Sequence, residues 1–146
     1  MTNIYAEVGA RDFAIQAHGD QRYGRMPYGY HLDQVVAKLR ELKHFGWDVP
    51  EDAYVVAYLH DVLEDTDVTY EDLYQKFGVN VAVPVAYLSK NMYSKGSDYL
   101  SSIKSDPIAK IVKIADTMCN LQASINSVEP KRVKKYSEQL ARLMEN

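Results

Sequence analysis

The chain has 146 residues, of which 47% are hydrophobic and 25% are charged, and its formal net charge at pH 7 is −3. Length and composition are those of one ordinary soluble globular domain with a proper core. The slight negative charge provides no basic field, so we expect neither nucleic acid nor a membrane as a partner. An anionic substrate would need local cations or a metal ion.

The N-terminal segment and the cysteine content predict a cytoplasmic protein. Residues 1–10 include Glu7 and lack the basic stretch and apolar run of a signal peptide. No apolar run reaches membrane-spanning length. The only cysteine, Cys119, excludes an internal disulfide and fits a reducing compartment.

Apolar residues recur with helical spacing along the first half of the chain. A first amphipathic helix, ending near His18, is predicted from Tyr5, Val8, Phe13 and Ala17. Residues 20–30, rich in Gly, Pro and Tyr, are predicted to form a loop. A second helix ending at Gly46 is predicted from Leu32, Val35, Val36, Leu39 and Leu42. A third begins at Pro50 and runs through Val62.

Capping residues mark the helices of the second half. Thr69 and Asp72 predict a capping box for a short helix that ends at Gly78. Residues 79–88 are apolar and β-branched, but Pro84 argues against a central strand and favours a kinked or late-starting helix.

After a polar loop over residues 91–97, Ser105-Asp106-Pro107 predicts a helix start. A last helix is predicted over about residues 130–145. The fold class is therefore all-α, in a single domain.

The most informative polar run lies at the end of the third predicted helix. His60 and Asp61 follow an apolar stretch, and Glu64 and Asp65 come one turn later. Charged groups enter a core only when paired, hydrogen-bonded or bound to a metal. Mixed imidazole and carboxylate ligands suit Mn, Fe, Zn, Co or Ni better than Ca.

Partners for such a metal are His31, at the start of the second helix, and Asp116, which interrupts an apolar face one turn before Asn120. Structural alternatives stay open. The His-Asp pair is compatible with a capped structural pair, and Asp116 with an ion pair to Lys113 or Lys110. Glu64 and Asp65 are compatible with a solvated helix end.

The ordered set of these residues resembles the HD-domain metal-dependent phosphohydrolases, and more narrowly the hydrolase domain of RelA/SpoT-type alarmone enzymes and their small stand-alone relatives. The resemblance covers about residues 5–125, so we expect residues 1–146 to form a single HD hydrolase domain, a helical bundle with a C-terminal helix. The matching segments are Ala17-His18-Gly19-Asp20-Gln21-Arg22, Pro27-Tyr28, Ala57-Tyr58-Leu59-His60-Asp61-Val62-Leu63-Glu64-Asp65-Thr66, and Val112-Lys113-Ile114-Ala115-Asp116 with Asn120.

The resemblance implies one divalent ion, commonly Mn²⁺. The ligands that it implies are His31, His60, Asp61 and Asp116. It also implies that the Glu64–Asp65 pair orients or deprotonates the attacking water. The implied substrate-binding residues are Arg22, Lys90 and Asn120.

The leading hypothesis is removal of the 3′-pyrophosphate from a guanosine alarmone, a small nucleotide. One alternative is hydrolysis of another phosphorylated nucleotide, such as an adenosine analogue or NADPH. The other is a non-catalytic helical binding module. Tyr23 stands where the family often has a lysine beside Arg22, and Cys119 where it often has a histidine. Because of these departures, the base and the phosphate pattern of the substrate stay open. The oligomeric state stays open as well.

Overall fold

The computed structural model describes residues 4–145, which form nine α-helices, one turn of 3-10 helix and a short antiparallel hairpin. The predicted all-α fold class is confirmed. The predicted bounds of a single domain, residues 1–146, stay a prediction. The elements are α1 Ile4–His18, β1 Arg22–Tyr23, β2 Met26–Pro27, α2 Tyr28–His44, α3 Asp52–Leu59, α4 Val62–Asp65, α5 Tyr70–Phe77, α6 Val79–Tyr87, the 3-10 turn Lys90–Met92, α7 Tyr99–Lys104, α8 Pro107–Asn126 and α9 Pro130–Met144.

The core lies around α3 and α8. Every residue from Ala53 to Leu59 is buried, as is most of one face of α8. Helix α8 packs against α2, α3 and α9, so it contacts helices from the first, middle and last parts of the chain. None of the helices within residues 4–145 is long and apolar enough to cross a bilayer.

Helix α1 is confirmed, but its predicted buried face is only partly right, because Phe13 and Ala17 pack against the core whereas Tyr5 and Val8 are exposed. Tyr5 is 87% exposed and Val8 53% exposed. The face turned inward consists of Glu7, Ala10, Ala14 and His18. Small alanines allow α1 to pack closely on α3, and Glu7 is paired there with Arg40, which offsets the cost of burying its carboxylate.

Residues 20–30 were predicted as a loop, yet they contain the hairpin and the start of α2. Arg22 pairs with Pro27 and Tyr23 with Met26. The turn uses Gly24 with φ +60°, a conformation that glycine adopts without steric cost. Two-residue strands carry too little periodicity to be recognised from sequence.

The third predicted helix does not run unbroken to Val62. Helix α3 ends at Leu59, and α4 begins at Val62 after Asp61, whose φ and ψ are −107° and −2°. The His60 Nδ1–H donates to the carbonyl oxygen of Ala57 at 2.6 Å, so the side chain uses a carbonyl that a continuing helix would need. This break places His60 and Asp61 at a junction.

The predicted caps are confirmed. Thr69 and Asp72 form the capping box of α5, which ends at Gly78 with φ +85°. Asp106 caps α8 by accepting a hydrogen bond from the backbone N–H of Ala109 at 2.9 Å. Residues 79–87 form a helix despite Pro84, as predicted.

Candidate active site

Three segments far apart in the chain bring imidazole and carboxylate groups together. His31 lies in the first turn of α2, His60 and Asp61 at the α3–α4 junction, and Asp116 in the middle of α8. Among the described residues, His31, His60 and Asp116 each offer a ligand atom, and these atoms all lie within 4.8 Å of one another. All three residues are buried.

The carboxylates lie directly beside the imidazole nitrogens. His31 Nε2 is 2.9 Å from Asp116 Oδ1. His60 Nε2 is 3.0 Å from Asp61 Oδ2 and 3.4 Å from Asp116 Oδ1. This places Asp61 beside the three-residue cluster, where the sequence predicted its fourth ligand.

The hydrogen bonding of His60 fits a metal ligand. Because Nδ1–H donates to the Ala57 carbonyl oxygen, the neutral ring carries its lone pair on Nε2. That Nε2 is buried and makes no hydrogen bond of acceptable geometry. Burial lowers the pKa of His60, but the two facing carboxylates raise it well above its ordinary value, so Nε2 takes up a proton or a metal cation there. The mixed imidazole and carboxylate donors therefore fit a bound divalent ion.

Asp61 is held in its charged form. Burial raises its pKa, but the adjacent His60 in its protonated form and the Tyr28 hydroxyl, which donates to Asp61 Oδ2, together lower that pKa to about 2. The carboxylate is therefore available as an anionic ligand at neutral pH.

Lys113 balances part of the negative charge. Its Nζ lies 3.3 Å from Asp116 Oδ2, on the preceding turn of α8. Burial opposes the charge on Lys113, but Asp116 and its neighbours raise the lysine pKa. The ion pair expected as the alternative for Asp116 thus exists, and it occupies the oxygen that does not face the histidines.

A cavity of about 250 Å³ opens next to the cluster. Its described lining includes Glu64 and Asp65 together with cationic side chains from three elements. These cations are Lys90, Lys113, Arg132 and Lys135. The site therefore combines a carboxylate-rich floor with a positively charged wall, although the whole chain carries a net charge of −3.

Glu64 lies at the mouth of this cavity. Its Oε1 accepts a hydrogen bond from the backbone N–H of Lys90 at 2.5 Å. Partial burial raises the pKa of Glu64, against the lowering effect of that hydrogen bond. A carboxylate with a raised pKa is a better proton acceptor than an ordinary glutamate.

Most of the predicted site residues converge on this cavity. Lys90 and Asn120 line it with the predicted metal ligands His31, Asp61 and Asp116. Arg22 does not line it; this arginine is exposed in β1. The role of Arg22 in substrate binding stays a prediction.

Sequence reasoning missed the contribution of α9. Arg132, Lys135, Tyr136 and Gln139 all line the cavity. In the sequence, Arg132 and Lys135 belong to the same basic run as Lys131 and Lys134. Only the packing of α9 on α8 decides which of these side chains face the site.

Tyr23, which departs from the family pattern, contacts two site residues. Its ring stacks on His31 at 4.3 Å, with an interplanar angle of 12°. Its hydroxyl donates to Asn120 Oδ1 at 2.6 Å. Tyr23 also lines a second cavity of about 550 Å³ between α2 and α8, so it contributes to the lining of both cavities.

Comparisons with known proteins show to which proteins the chain is similar. No family model matches the chain. The chain is 35% identical over 134 residues to a guanosine-3′,5′-bis(diphosphate) 3′-pyrophosphohydrolase of Aquifex aeolicus, covering 86% of the chain but only 18% of that longer relative. It is 30% identical over 137 residues to the MESH1 enzyme of the same name from Danio rerio, covering 87% of the chain and 76% of the relative.

The human MESH1 enzyme is 28% identical over 145 residues, and the match covers 80% of it. A solved structure described as a metazoan ortholog of SpoT that hydrolyses ppGpp superposes with a TM-score of 0.70. That superposition covers 95% of this chain and 85% of the other at 22% identity, so it supports the helical fold.

The relative from Danio rerio matches along most of its own length, and the sequence motifs meet in one buried cluster. The chain therefore belongs to the MESH1-type family of guanosine-3′,5′-bis(diphosphate) 3′-pyrophosphohydrolases.

Proposed function

We propose that this protein is a metal-dependent hydrolase that removes the 3′-pyrophosphate from guanosine 3′,5′-bis(diphosphate). The observation that carries this proposal is the buried His31–His60–Asp116 cluster beside a cavity with a cationic wall. Such a wall suits a substrate with several phosphate groups. The named relatives hydrolyse the same bond.

The residues that would hold the ion are His31, His60, Asp61 and Asp116, and we propose Mn²⁺ as that ion. When bound, a divalent ion lowers the pKa of a water molecule and polarises a phosphoryl oxygen. His60 would present Nε2 to the ion, because its Nδ1–H donates to the Ala57 carbonyl oxygen. The Tyr28 hydroxyl and Lys113 each hold one carboxylate of the set in place.

Glu64 is the proposed proton acceptor, with Asp65 assisting in the orientation of the water. Both line the cavity on the side of α4. Attack of water at the phosphorus next to the ribose breaks the bond to the 3′-oxygen, which gains a proton and becomes a hydroxyl. Pyrophosphate leaves, and a positioned carboxylate typically contributes about 10²–10⁴-fold to such a step.

The cationic wall is proposed to bind the phosphates. Arg132 presents a planar guanidinium suited to bidentate phosphate binding, whereas Lys90 and Lys135 act as point charges. Lys113 is already paired with Asp116, so it also stabilises the cluster of proposed metal ligands. Together they concentrate an anion that the overall charge of the chain would not attract.

The nucleoside is proposed to extend beyond the inner cavity. A volume of about 250 Å³ lies below the range of about 300–1,000 Å³ typical of small-molecule pockets. The adjoining cavity of about 550 Å³ begins at Tyr23 and provides the additional room. Asn120, which lines the inner cavity and accepts a hydrogen bond from the Tyr23 hydroxyl, is proposed to contact the sugar.

The predictions of a cytoplasmic location and of a small nucleotide as the partner belong to the same proposal. The test is a turnover assay with the purified protein and Mn²⁺ on guanosine and adenosine 3′-pyrophosphates and on NADPH. We expect pyrophosphate from the guanosine substrate, and loss of turnover after chelation that added Mn²⁺ restores. Metal-loaded protein that is silent on the whole panel would contradict the proposal, whereas phosphate from NADPH alone would favour the alternative substrate.

A further inference from the structure

We infer that His18 and Gln21 are positioning residues that hold the Asp65 carboxylate in the orientation in which it acts on the water. This inference rests on the proposed function, in which Asp65 helps to orient the water. The segment from His18 to Tyr28 thereby holds two carboxylates of the site, Asp65 through Gln21 and Asp61 through Tyr28.

Asp65 needs such support because of where it lies. It is the last residue of the four-residue helix α4, and its side chain is exposed although it lines the cavity. An exposed aspartate at a helix end is free to occupy several rotamers. A hydrogen bond that selects one of them fixes the carboxylate relative to the reacting water.

Gln21 supplies that hydrogen bond. Its Nε2–H donates to Asp65 Oδ2 at 3.0 Å. The backbone of Gln21 is itself anchored, because its N–H donates to the His18 carbonyl oxygen at 3.1 Å and its carbonyl oxygen accepts from the Tyr28 N–H at 3.1 Å. The amide therefore projects from a fixed point.

The chemistry of the three groups fixes the direction of the chain. An ionised carboxylate only accepts hydrogen bonds, so the amide must turn its NH₂ toward Asp65 and its oxygen toward His18. The contact of 2.8 Å between His18 Nδ1 and Gln21 Oε1 then requires a proton on Nδ1. In the tautomer that has a single proton on Nδ1, the lone pair is on Nε2.

The surroundings of His18 agree with this tautomer. The residue is only 7% exposed, and its Nε2 is buried without a hydrogen-bond partner. Its ring packs on Tyr28 at 4.4 Å between ring centroids. An apolar ring would pack there without leaving a nitrogen unpaired, so packing alone does not account for a histidine.

The kinetic test compares Gln21→Leu and His18→Phe with the wild type. His18→Phe keeps the ring on Tyr28 and removes the Nδ1 donor. We expect kcat to fall about tenfold in both, with KM within about twofold, because misplacing a catalytic group costs rate more than binding. The matched control is Gln75→Leu, which removes an exposed hydrogen bond from Gln75 to the Glu71 carboxylate on α5. It should leave kcat unchanged.

A double variant separates positioning from a general loss of structure. In an Asp65→Ala background, Gln21→Leu should lower kcat no further, since its partner is gone. The same loss in both backgrounds would overturn the inference, as would an unchanged kcat in Gln21→Leu when Asp65→Ala is impaired. Thermal unfolding of each variant identifies any that fail to fold.

A measurement without turnover keeps this inference distinct from the proposed function. The ¹⁵N NMR shifts of His18 should report a protonated Nδ1 and a bare Nε2, and the Gln21 side-chain amide signals should move in Asp65→Ala. A His18 without a proton on Nδ1, or Gln21 amide signals that do not respond to Asp65→Ala, would overturn the inference even in an active enzyme. The expected NMR result in a protein without nucleotide hydrolysis would support the chain of hydrogen bonds and contradict only the proposed function.

Discussion

At the residue scale, a single backbone carbonyl prepares the metal site. The Ala57 carbonyl oxygen accepts a hydrogen bond from His60 Nδ1–H, which leaves Nε2 to face the carboxylates. The same contact ends α3 and turns Asp61 out of the helix. One hydrogen bond therefore both accompanies the end of α3 and orients the His60 ring.

Asp61 provides the most direct test of the proposed ligand set. Asp61→Ala should abolish turnover and weaken Mn²⁺ binding at least tenfold, because it removes an anionic group 3.0 Å from His60 Nε2. Isothermal titration of the metal measures the effect. Asp33→Ala is the control, since Asp33 is a partly exposed partner of Arg11. Unchanged metal affinity in Asp61→Ala would show that Asp61 is not a ligand.

The raised pKa of Glu64 predicts the acid side of the pH profile. A raised pKa means that Glu64 takes up a proton at a higher pH than an ordinary glutamate, so the base form is lost as the pH falls through that value. We expect the acid limb of kcat to lie above the ordinary glutamate pKa. In Glu64→Gln, kcat should fall about 10²-fold or more and this limb should disappear. A wild-type limb that persists in Glu64→Gln would assign it to another group.

The sequence indicated the metal cluster but not the phosphate-binding wall, for a physical reason. His31, His60 and Asp116 lie beside apolar runs, and a polar group in a core requires a partner. Arg132 and Lys135 lie on the polar side of an amphipathic helix, where charges are ordinary. No local signal separates them from their solvated neighbours.

At the scale of elements, α8 and α9 form the two sides of the site. Helix α8 carries Lys113, Asp116 and Asn120, and its start at Asp106 was predictable from the cap and the proline. Helix α9 was predictable as an amphipathic helix, but its docking on α8 depends on contacts between distant residues. The hairpin was not predictable, and through it Tyr23 reaches His31.

The docking of α9 predicts which of its cations bind substrate. Arg132→Ala and Lys135→Ala should each raise KM for the nucleotide several-fold with a smaller effect on kcat, because they remove phosphate contacts and leave the metal site intact. Lys134→Ala is the matched control, since Lys134 is 79% exposed and lies near Glu138. Steady-state kinetics at fixed ionic strength measures all three. An equal effect of Lys134→Ala would indicate general attraction rather than a binding wall.

At the scale of the whole molecule, folding itself builds the site. The candidate ligands at positions 31, 60, 61 and 116 come from the first, middle and last thirds of the chain and meet only in the native state. The unfolded chain therefore has little affinity for the ion. Ion binding is then linked to folding, and its free energy adds to the stability of the native protein.

This linkage predicts that Mn²⁺ stabilises the protein. At an ion concentration of 100 times Kd, the gain is about 2.7 kcal/mol, which for a chain of this size corresponds to a rise in Tm of about 5–10 °C. Thermal unfolding followed by circular dichroism, with Mn²⁺ and after chelation, measures the shift. Asp116→Asn should lose most of it because the carboxylate shared by both histidines becomes neutral. A Tm that is insensitive to Mn²⁺ in the wild type would mean that the buried cluster does not bind this ion in the folded state.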